Sequence, residues 1–249
     1  MSRLLEKFKG LSGIEKEKAI REITEVEVGY EREDYIELFK ICDAIWMYGG
    51  KGPHALLTSG KHSDGYIDVS QVLKFTNLRD IFAQRMAEEV LLSIIGGSSI
   101  EVDYVISSSM AAIPFGDGIA SYLGLTFAYT EKVDGVQKLK RFEVPSKARI
   151  LQVEELITTM GTTRQVTNAI IEKNKNVEFV RDRDERIVVL TLIHRPEILS
   201  VEYPDYRILP LVEIEIHNWI PEECPLCKAG SEALKPKENW ELFLKYNKI

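Results

Sequence analysis

Residues 150–166, "ILQVEELITTMGTTRQV", begin as an apolar run, break into adjacent carboxylates at Glu154 and Glu155, and continue into a turn with four threonines. The apolar run predicts a strand, and the residues after the turn have helical spacing. Free amides and hydroxyl groups where a turn opens a helix can enclose a phosphate at the positive end of the helix dipole. The stretch therefore predicts an α/β fold with an anion site, although paired acids at a strand end are often solvated loop residues.

The flanking segments continue this alternation of strands and helices. The strand candidates are "VDYVISSS", "LTFAYTEK", "RIVVLTLIHR" and "RILPLVEIEI", and the main helix candidates are "NLRDIFAQRMAEEVLLSII" and "PFGDGIASYLG". Such alternation predicts a mostly parallel sheet with helices on both faces. We expect residues 1–48 to be helical, "HALLTSGKHSDGYIDVS" to form a hairpin, and residues 133–148 to form a mobile loop.

Three predicted strands end in polar clusters. They are Ser107, Ser108 and Ser109, then Glu131 and Lys132, and finally Glu154 and Glu155. Ligands of open α/β sheets bind beyond the carboxyl ends of the strands. The clusters are therefore expected to converge on one ligand site.

Composition limits the class of protein. The 249 residues are 45% hydrophobic and 29% charged, as in ordinary globular proteins. A net charge of −7 argues against general nucleic-acid binding, which requires basic surface. No apolar run has the length of a membrane span, so a cytoplasmic location is expected. Three cysteines are too few for a disulfide framework.

Four segments together resemble type I phosphoribosyltransferases, and most closely the orotate phosphoribosyltransferases. "ILQVEELITTMGTTRQV" resembles the family's signature for phosphoribosyl pyrophosphate (PRPP), and "LLTSGKHSDGYID" resembles its N-terminal hairpin. "VDYVISSSMAAIPFGDGIASYLGLTFAYTEK" is similar to the strand, turn and helix before its mobile catalytic loop, and "TLIHRPE" falls where the family has an Asp-Arg pair. The resemblance implies a parallel sheet with helices on both faces and a small hood.

The resemblance also implies an activity: transfer of ribose 5-phosphate from PRPP to orotate or a related nucleobase, with release of pyrophosphate, in pyrimidine biosynthesis. Mg²⁺ bound with PRPP and a homodimer, in which the loop reaches a neighbour's site, are further implications. The implied catalytic residues are Glu154, Glu155, Lys132, Lys138 and Lys140. The implied PRPP-binding residues are Ser107, Ser108, Ser109, Thr158, Thr159, Met160, Gly161, Thr162 and Thr163. The implied base-binding residues are Ser59, Gly60, Tyr66 and Arg195.

Several positions depart from the family pattern. Met160 stands where the family has glycine, Glu155 where it has aspartate, Glu131 where it has arginine, and His194 where it has the aspartate before Arg195. The loop offers Lys138, Lys140 and Arg141 and lacks the family's Lys-x-His-Gly pattern. These departures keep a second hypothesis open, that of a non-catalytic regulatory paralogue that binds PRPP or a nucleotide.

The expected organisation is an N-terminal helical extension (1–34), a phosphoribosyltransferase-like domain (35–215, with a hood hairpin at 54–70) and a C-terminal tail (216–249). In the tail, Cys224 and Cys227 form a Cys-x-x-Cys motif that a zinc ion could use, with His217 as the nearest further ligand. A plain structural turn and a disulfide remain alternatives. We expect His62 to lie at the surface, and His54 carries no signal.

Overall fold

The computed structural model describes residues 3–93, 102–199 and 201–247. Its helices are α1 (Arg3–Lys7), α2 (Gly13–Arg21), α3 (Arg32–Ile41), α4 (Ser70–Leu73), α5 (Thr76–Ser93), α6 (Ala112–Leu123), α7 (Gly161–Lys173), α8 (Pro225–Lys228) and α9 (Trp240–Lys245). Its strands are β1 (Ile45–Met47), β2 (His54–Leu56), β3 (His62–Ser63), β4 (Gly65–Ile67), β5 (Tyr104–Ser107), β6 (Thr126–Tyr129), β7 (Glu131–Val133), β8 (Val136–Lys138), β9 (Arg149–Ile157), β10 (Glu178–Phe179), β11 (Ile187–His194), β12 (Tyr206–Glu213), β13 (Asn218–Trp219) and β14 (Ala233–Leu234). Among these helices none is long and apolar enough to cross a bilayer.

The central sheet is parallel and has the strand order β12-β11-β9-β5-β6, with β10 pairing beside the start of β9. Strand β9 lies between β5 and β11, with Tyr104 opposite Ile150 and Val189 opposite Gln152. This arrangement confirms the predicted fold class. It also places the end of β9, and so the two carboxylates, in the middle of the sheet's carboxyl edge.

Both faces of the sheet are covered, which explains why β9 begins with consecutive apolar residues. Leu151 and Val153 belong to the main core with residues of α5 and α6. Ile150 faces the other way and packs with Val166 and Ile170 of α7. The start of the strand is therefore fixed by two separate cores.

A second, four-stranded sheet forms the hood and has the order β13-β3-β2-β14. Strands β2 and β3 are antiparallel, as the predicted hairpin requires, and a tail strand flanks each of them. The hairpin is shorter than the predicted range 54–70. Strand β4 leaves the hood to pair with β1, and α4 begins at Ser70.

Residues 1–48, predicted to be helical, form α1, α2 and α3 with non-helical segments between them, and the prediction was wrong at its end. Helix α3 stops at Ile41, and Asp43 has a left-handed backbone with φ of 52°. Ile45 then pairs with Ile67, so β1 is a buried strand. β-Branched and aromatic side chains in "IWMY" favour this strand over a further helical turn.

The prediction of a loop at residues 133–148 was also wrong at its start. Strands β7 and β8 form a hairpin whose turn is Asp134-Gly135, and both turn residues have positive φ, 51° and 83°. Asp-Gly is a strong signal for this two-residue turn, which needs left-handed backbone at both positions. The many charges around the turn obscured that signal.

The N-terminal extension shares the main core, since Phe8, Ile20 and Ile23 pack in the same cluster as α5. Asn77 of α5 donates to the carbonyl oxygens of Ile20 and Ile23 at 2.8 and 3.0 Å. The domain boundaries at 34 and 215 stay predictions. Positions 94–95 of the predicted "NLRDIFAQRMAEEVLLSII" helix lie outside the described residues.

Candidate active site

The ends of three parallel strands meet at one point of the carboxyl edge. Ser108, in the turn after β5, donates a hydrogen bond of 2.5 Å to Oε2 of Glu154 in β9. The amide of Thr130, after β6, donates to the carbonyl oxygen of Ser107 at 2.9 Å. The serine turn and the acid pair, which are 46 positions apart in sequence, are thus in direct contact.

Glu154 is buried, Glu155 is half-buried, and both carboxylates are only partly satisfied. Glu154 is 2% exposed, and its Oε1 has no hydrogen-bond partner within the described residues; the same holds for Oε2 of Glu155. Burial raises the pKa of Glu154 to about 8, helped by the nearby charge of Glu155 and opposed by the bond from Ser108. Burial also raises the pKa of Glu155. Two buried oxygens without partners indicate that a polar ligand belongs here.

Strand β9 keeps one register with β11 past the acid pair. Glu154 lies opposite Thr191, and Leu156 and Ile157 lie opposite Ile193 and His194. The backbone that carries the two carboxylates is therefore held by a neighbouring strand.

The threonine turn leads directly into α7. Among the described residues, no acceptor contacts the amides of residues 159–163. Met160, the residue before the helix, has the left-handed conformation that glycine would adopt at no cost, with φ of 65°. Its side chain is 1% exposed and packs with Ile157, Val189 and Tyr206 beneath the turn. The Met160 side chain therefore lies in the core, and the amides of the turn stay open to an anion.

A row of hydrogen bonds supports this turn from β12. Glu213 Oε1 lies 2.6 Å from Nδ1 of His194, whose Nε2 lies 3.2 Å from the hydroxyl oxygen of Tyr203. That hydroxyl donates to the carbonyl oxygen of Thr158 at 3.4 Å. His194, which departs from the family pattern, therefore connects the end of β12 to the start of the phosphate turn.

Arg195 enters the site from the end of β11. Its Nη1 is buried without a partner in the described part of the chain, and burial lowers its pKa while the charges of Tyr66 and Asp64 act in the opposite direction. Gly60 and Tyr66 line a cavity of about 570 Å³ together with residues 235–238 of the tail. Ser59, in the same exposed turn as Gly60, does not line that cavity.

The β7–β8 hairpin packs over this region through Gln137, which the sequence did not single out. Gln137 Oε1 accepts hydrogen bonds from Thr130 at 2.7 Å and from Ser109 at 3.4 Å. The backbone amide of Gln137 donates to Oε1 of Gln165 in α7 at 3.2 Å.

The implied catalytic lysines, Lys132, Lys138 and Lys140, lie outside that contact. Because buried Gln137 and Leu139 alternate with Lys138 and Lys140, the lysines face solvent, as does Lys132. They form no ion pair with the described residues. Glu131, the residue before Lys132, is paired with Arg141 at 2.7 Å.

The cysteines of the tail meet two histidines of the hood. His54, His62, Cys224 and Cys227 place their ligand atoms within 4.8 Å of one another. His217 is not among them, because it contacts Asp64 at 3.0 Å and Glu215 at 3.1 Å. The predicted third ligand was therefore wrong. So was the surface position of His62, which is 7% exposed.

Two residues of this cluster that were not predicted as ligands, His54 and His62, have a usable sequence signal. His54 and His62 lie eight positions apart on the two strands of a predicted hairpin, and a closed zinc site needs two ligands besides the cysteines. Gln137 carries no comparable signal, since its role depends on how the hairpin packs.

Comparison with known proteins places the chain among enzymes of one kind. It is 31% identical to the orotate phosphoribosyltransferase of Caldanaerobacter subterraneus subsp. tengcongensis over 208 residues, 83% of this chain and 97% of that one. It is 34% identical to that of Campylobacter curvus over 186 residues, 74% of this chain and 90% of that one. No protein-family model matches the chain.

Solved structures show the same fold. The orotate phosphoribosyltransferase of Mycobacterium tuberculosis superposes with a TM-score of 0.52 at 18% identity, over 73% of this chain and 95% of that one.

Proposed function

This chain belongs to the orotate phosphoribosyltransferase family, and we propose that it transfers ribose 5-phosphate from PRPP to orotate with release of pyrophosphate. The observation that carries this proposal is the buried acid pair at the carboxyl edge, adjoining the free amides that open α7. The comparisons give no support to the alternative of a non-catalytic regulatory paralogue.

The acid pair suits the ribose of PRPP. Glu154 Oε1 and Glu155 Oε2 are acceptors without partners in the described chain, and the two ribose hydroxyls are donors that would satisfy them. As pyrophosphate leaves, positive charge develops on the sugar. Carboxylates fixed in a site that excludes water stabilise that charge far better than solvated ones.

The phosphate and the base would lie on opposite sides of the ribose. The amides of residues 159–163 face the 5-phosphate at the positive end of the α7 dipole. On the other side, the guanidinium of Arg195 has an unsatisfied Nη1 that can donate to the carboxylate of orotate. Tyr66 and Gly60 would bound the base from the hood.

Magnesium fits this donor set. Carboxylate oxygens are the ligands that Mg²⁺ prefers, and Glu154 and Glu155 each offer one that no described residue uses. When bound with PRPP, the ion would offset the charge of the departing pyrophosphate. Lys132, Lys138 and Lys140 would add positive charge from the exposed hairpin, in the partner's site if the protein is a homodimer as the family resemblance implies. A cytoplasmic location belongs to the same proposal.

The decisive experiment measures pyrophosphate release and nucleotide formation from PRPP and Mg²⁺ with orotate, and with uracil, adenine and hypoxanthine as competing bases. Orotate alone is expected to support turnover. Another base supporting faster turnover would refute the assignment of orotate. If calorimetry shows PRPP binding and no base supports turnover, transferase activity is refuted and the protein only binds PRPP.

A further inference from the structure

The cluster of His54, His62, Cys224 and Cys227 has the dimensions of a metal centre. His54 Nε2 lies 3.0 Å from His62 Nδ1, 3.6 Å from Cys224 Sγ and 3.5 Å from Cys227 Sγ. His62 Nδ1 lies 3.2 Å from Cys227 Sγ. Tetrahedral zinc, with bonds of about 2.3 Å to sulfur and about 2.0–2.1 Å to nitrogen, holds its ligand atoms roughly 3.3–3.8 Å apart. The distances from His54 Nε2 to the two sulfur atoms lie in this range, and the two shorter distances fall below it by at most about 0.3 Å. We infer that these four side chains bind a structural zinc ion.

The hydrogen bonds around His54 show which of its nitrogens is free. Ser231 uses its hydroxyl proton to donate to the carbonyl oxygen of Gly52 at 2.8 Å. The same hydroxyl oxygen lies 2.9 Å from Nδ1 of His54, so it must accept from that nitrogen. The proton of the neutral ring is then on Nδ1, and the lone pair of Nε2 faces the other three ligands. A hydrogen bond on the second nitrogen is the usual support of a zinc-bound histidine.

A purely hydrogen-bonded cluster satisfies these groups poorly. One lone pair on His54 Nε2 accepts one good hydrogen bond, yet an imidazole and two thiols lie within 3.6 Å of it. A cation at the shared centre satisfies all four groups at once. Two thiolates also neutralise the charge of Zn²⁺, which suits a cluster in which His54 and Cys224 are each 0% exposed.

The positions of the ligands indicate a structural role. His54 and His62 are on β2 and β3, the two central strands of the hood sheet. Both cysteines lie, in sequence, between β13 and β14, the two outer strands of that sheet. Four protein ligands close the coordination shell, which leaves no position for a substrate. The ion would therefore fasten the tail to the hairpin.

Zinc-dependent attachment of the tail to the hairpin would affect the base site, an inference that rests on the proposed function. The turn between the two histidine ligands, residues 57–61, carries Ser59 and Gly60. Residues 235–238, which follow the cysteines, form the opposite wall of the cavity. Loss of the ion should therefore disturb binding of the base and leave the PRPP turn intact.

The test is the zinc content of the full chain, purified without a histidine tag and measured by mass spectrometry of the metal. Wild type is expected to carry about one zinc per chain, and Cys227→Ser and His62→Asn less than about a tenth of that. His217→Ala is the matched control and should keep its zinc. Cobalt substitution should give the visible bands of tetrahedral thiolate coordination in wild type, and Cys227→Ser should lose them.

A second measurement covers variants that fail to fold. Stripping reduced wild type with a chelator should lower Tm by more than about 5 °C, and zinc but not magnesium should restore it. The stripped protein should also show a KM for orotate raised more than the KM for PRPP, with kcat/KM for orotate reduced by up to roughly 100-fold.

Three results would overturn the zinc site: wild type without metal, a Cys224–Cys227 disulfide in non-reducing mass spectrometry, or loss of zinc from His217→Ala together with retention in Cys227→Ser. Zinc content and cobalt spectra do not depend on turnover. A protein with zinc but without activity would therefore refute the proposed function and leave the metal site standing.

Discussion

Replacing Glu154 with glutamine should change stability and activity in opposite directions. The side chain keeps its shape, and the amide oxygen can still accept the hydrogen bond from Ser108. The buried group loses its ability to ionise, however. Because burial raises the pKa of Glu154 from 4.5 to about 8, ionisation is easier in the unfolded chain than in the folded one.

The sign and size of the effect follow from proton linkage. A raised pKa contributes stability that is fully present below pH 4.5, and this stability is lost as pH rises through about 8. Between about pH 5.5 and about pH 8.5 the loss for wild type amounts to ~3 kcal/mol of unfolding free energy. Glutamine does not titrate, so the variant should gain on wild type by that amount over the same range. At about pH 8.5, where Glu154 is mostly ionised, turnover should meanwhile fall about 100- to 1000-fold, since a fixed charge that stabilises the transition state is lost.

Urea unfolding of the ligand-free protein at about pH 5.5 and about pH 8.5 measures the change in stability. The pyrophosphate assay measures the change in turnover. Glu178→Gln is the control, because Glu178 is an exposed residue of β10 whose surface ion pair with Arg149 is worth at most about 1 kcal/mol. Parallel stability curves for wild type and Glu154→Gln would refute the raised pKa. Near-wild-type turnover in the variant would refute the catalytic role.

Three further substitutions test other parts of the site. Arg195→Lys should raise the KM for orotate by roughly 10- to 100-fold while leaving the KM for PRPP within about twofold, because lysine cannot reproduce the guanidinium's paired donors. Equal effects on both KM values in steady-state kinetics would contradict the role of Arg195 at the base. Tyr203→Phe removes the donor to the carbonyl oxygen of Thr158 and should weaken PRPP binding by about 2- to 10-fold in calorimetry, the value of one hydrogen bond. Unchanged affinity would mean that the phosphate turn does not need this hydrogen bond. Met160→Gly should relieve about 1–2 kcal/mol of backbone strain. It should also leave a cavity beside Ile157 that costs about 2–5 kcal/mol, so a net loss of stability is expected in urea unfolding and a net gain would refute the packing argument.

The fold was accessible from sequence because its signals are local. The apolar run of β9, the helical spacing of α7 and the alternation around them reflect burial on one or both faces, and this periodicity is written in consecutive residues. The signal of the Asp134-Gly135 turn is equally local, but the charged residues around it are also typical of a solvated loop.

Contacts between distant segments were not accessible in the same way. The bond from Ser108 to Glu154 could be expected, because both residues end strands of one parallel sheet. The approach of His54 to Cys224 spans 170 positions and depends on how the tail strands pair with the hood, which no periodicity encodes. For the same reason His217, the histidine nearest the cysteines in sequence, was the wrong choice.

The interleaved order of the hood strands has a consequence for biosynthesis. Ser63 of β3 donates to the carbonyl oxygen of His217, 154 positions later in the chain, beside strand β13. A ribosome releases these partners many seconds apart, since synthesis proceeds at roughly 5–20 residues per second. Until the tail strands are synthesised, the β2–β3 hairpin therefore has no partner strand on either edge, although the strands of the parallel sheet have already been released. Such late, non-local pairing is the slow kind of folding step, and exposed strand edges can pair with other chains during the delay.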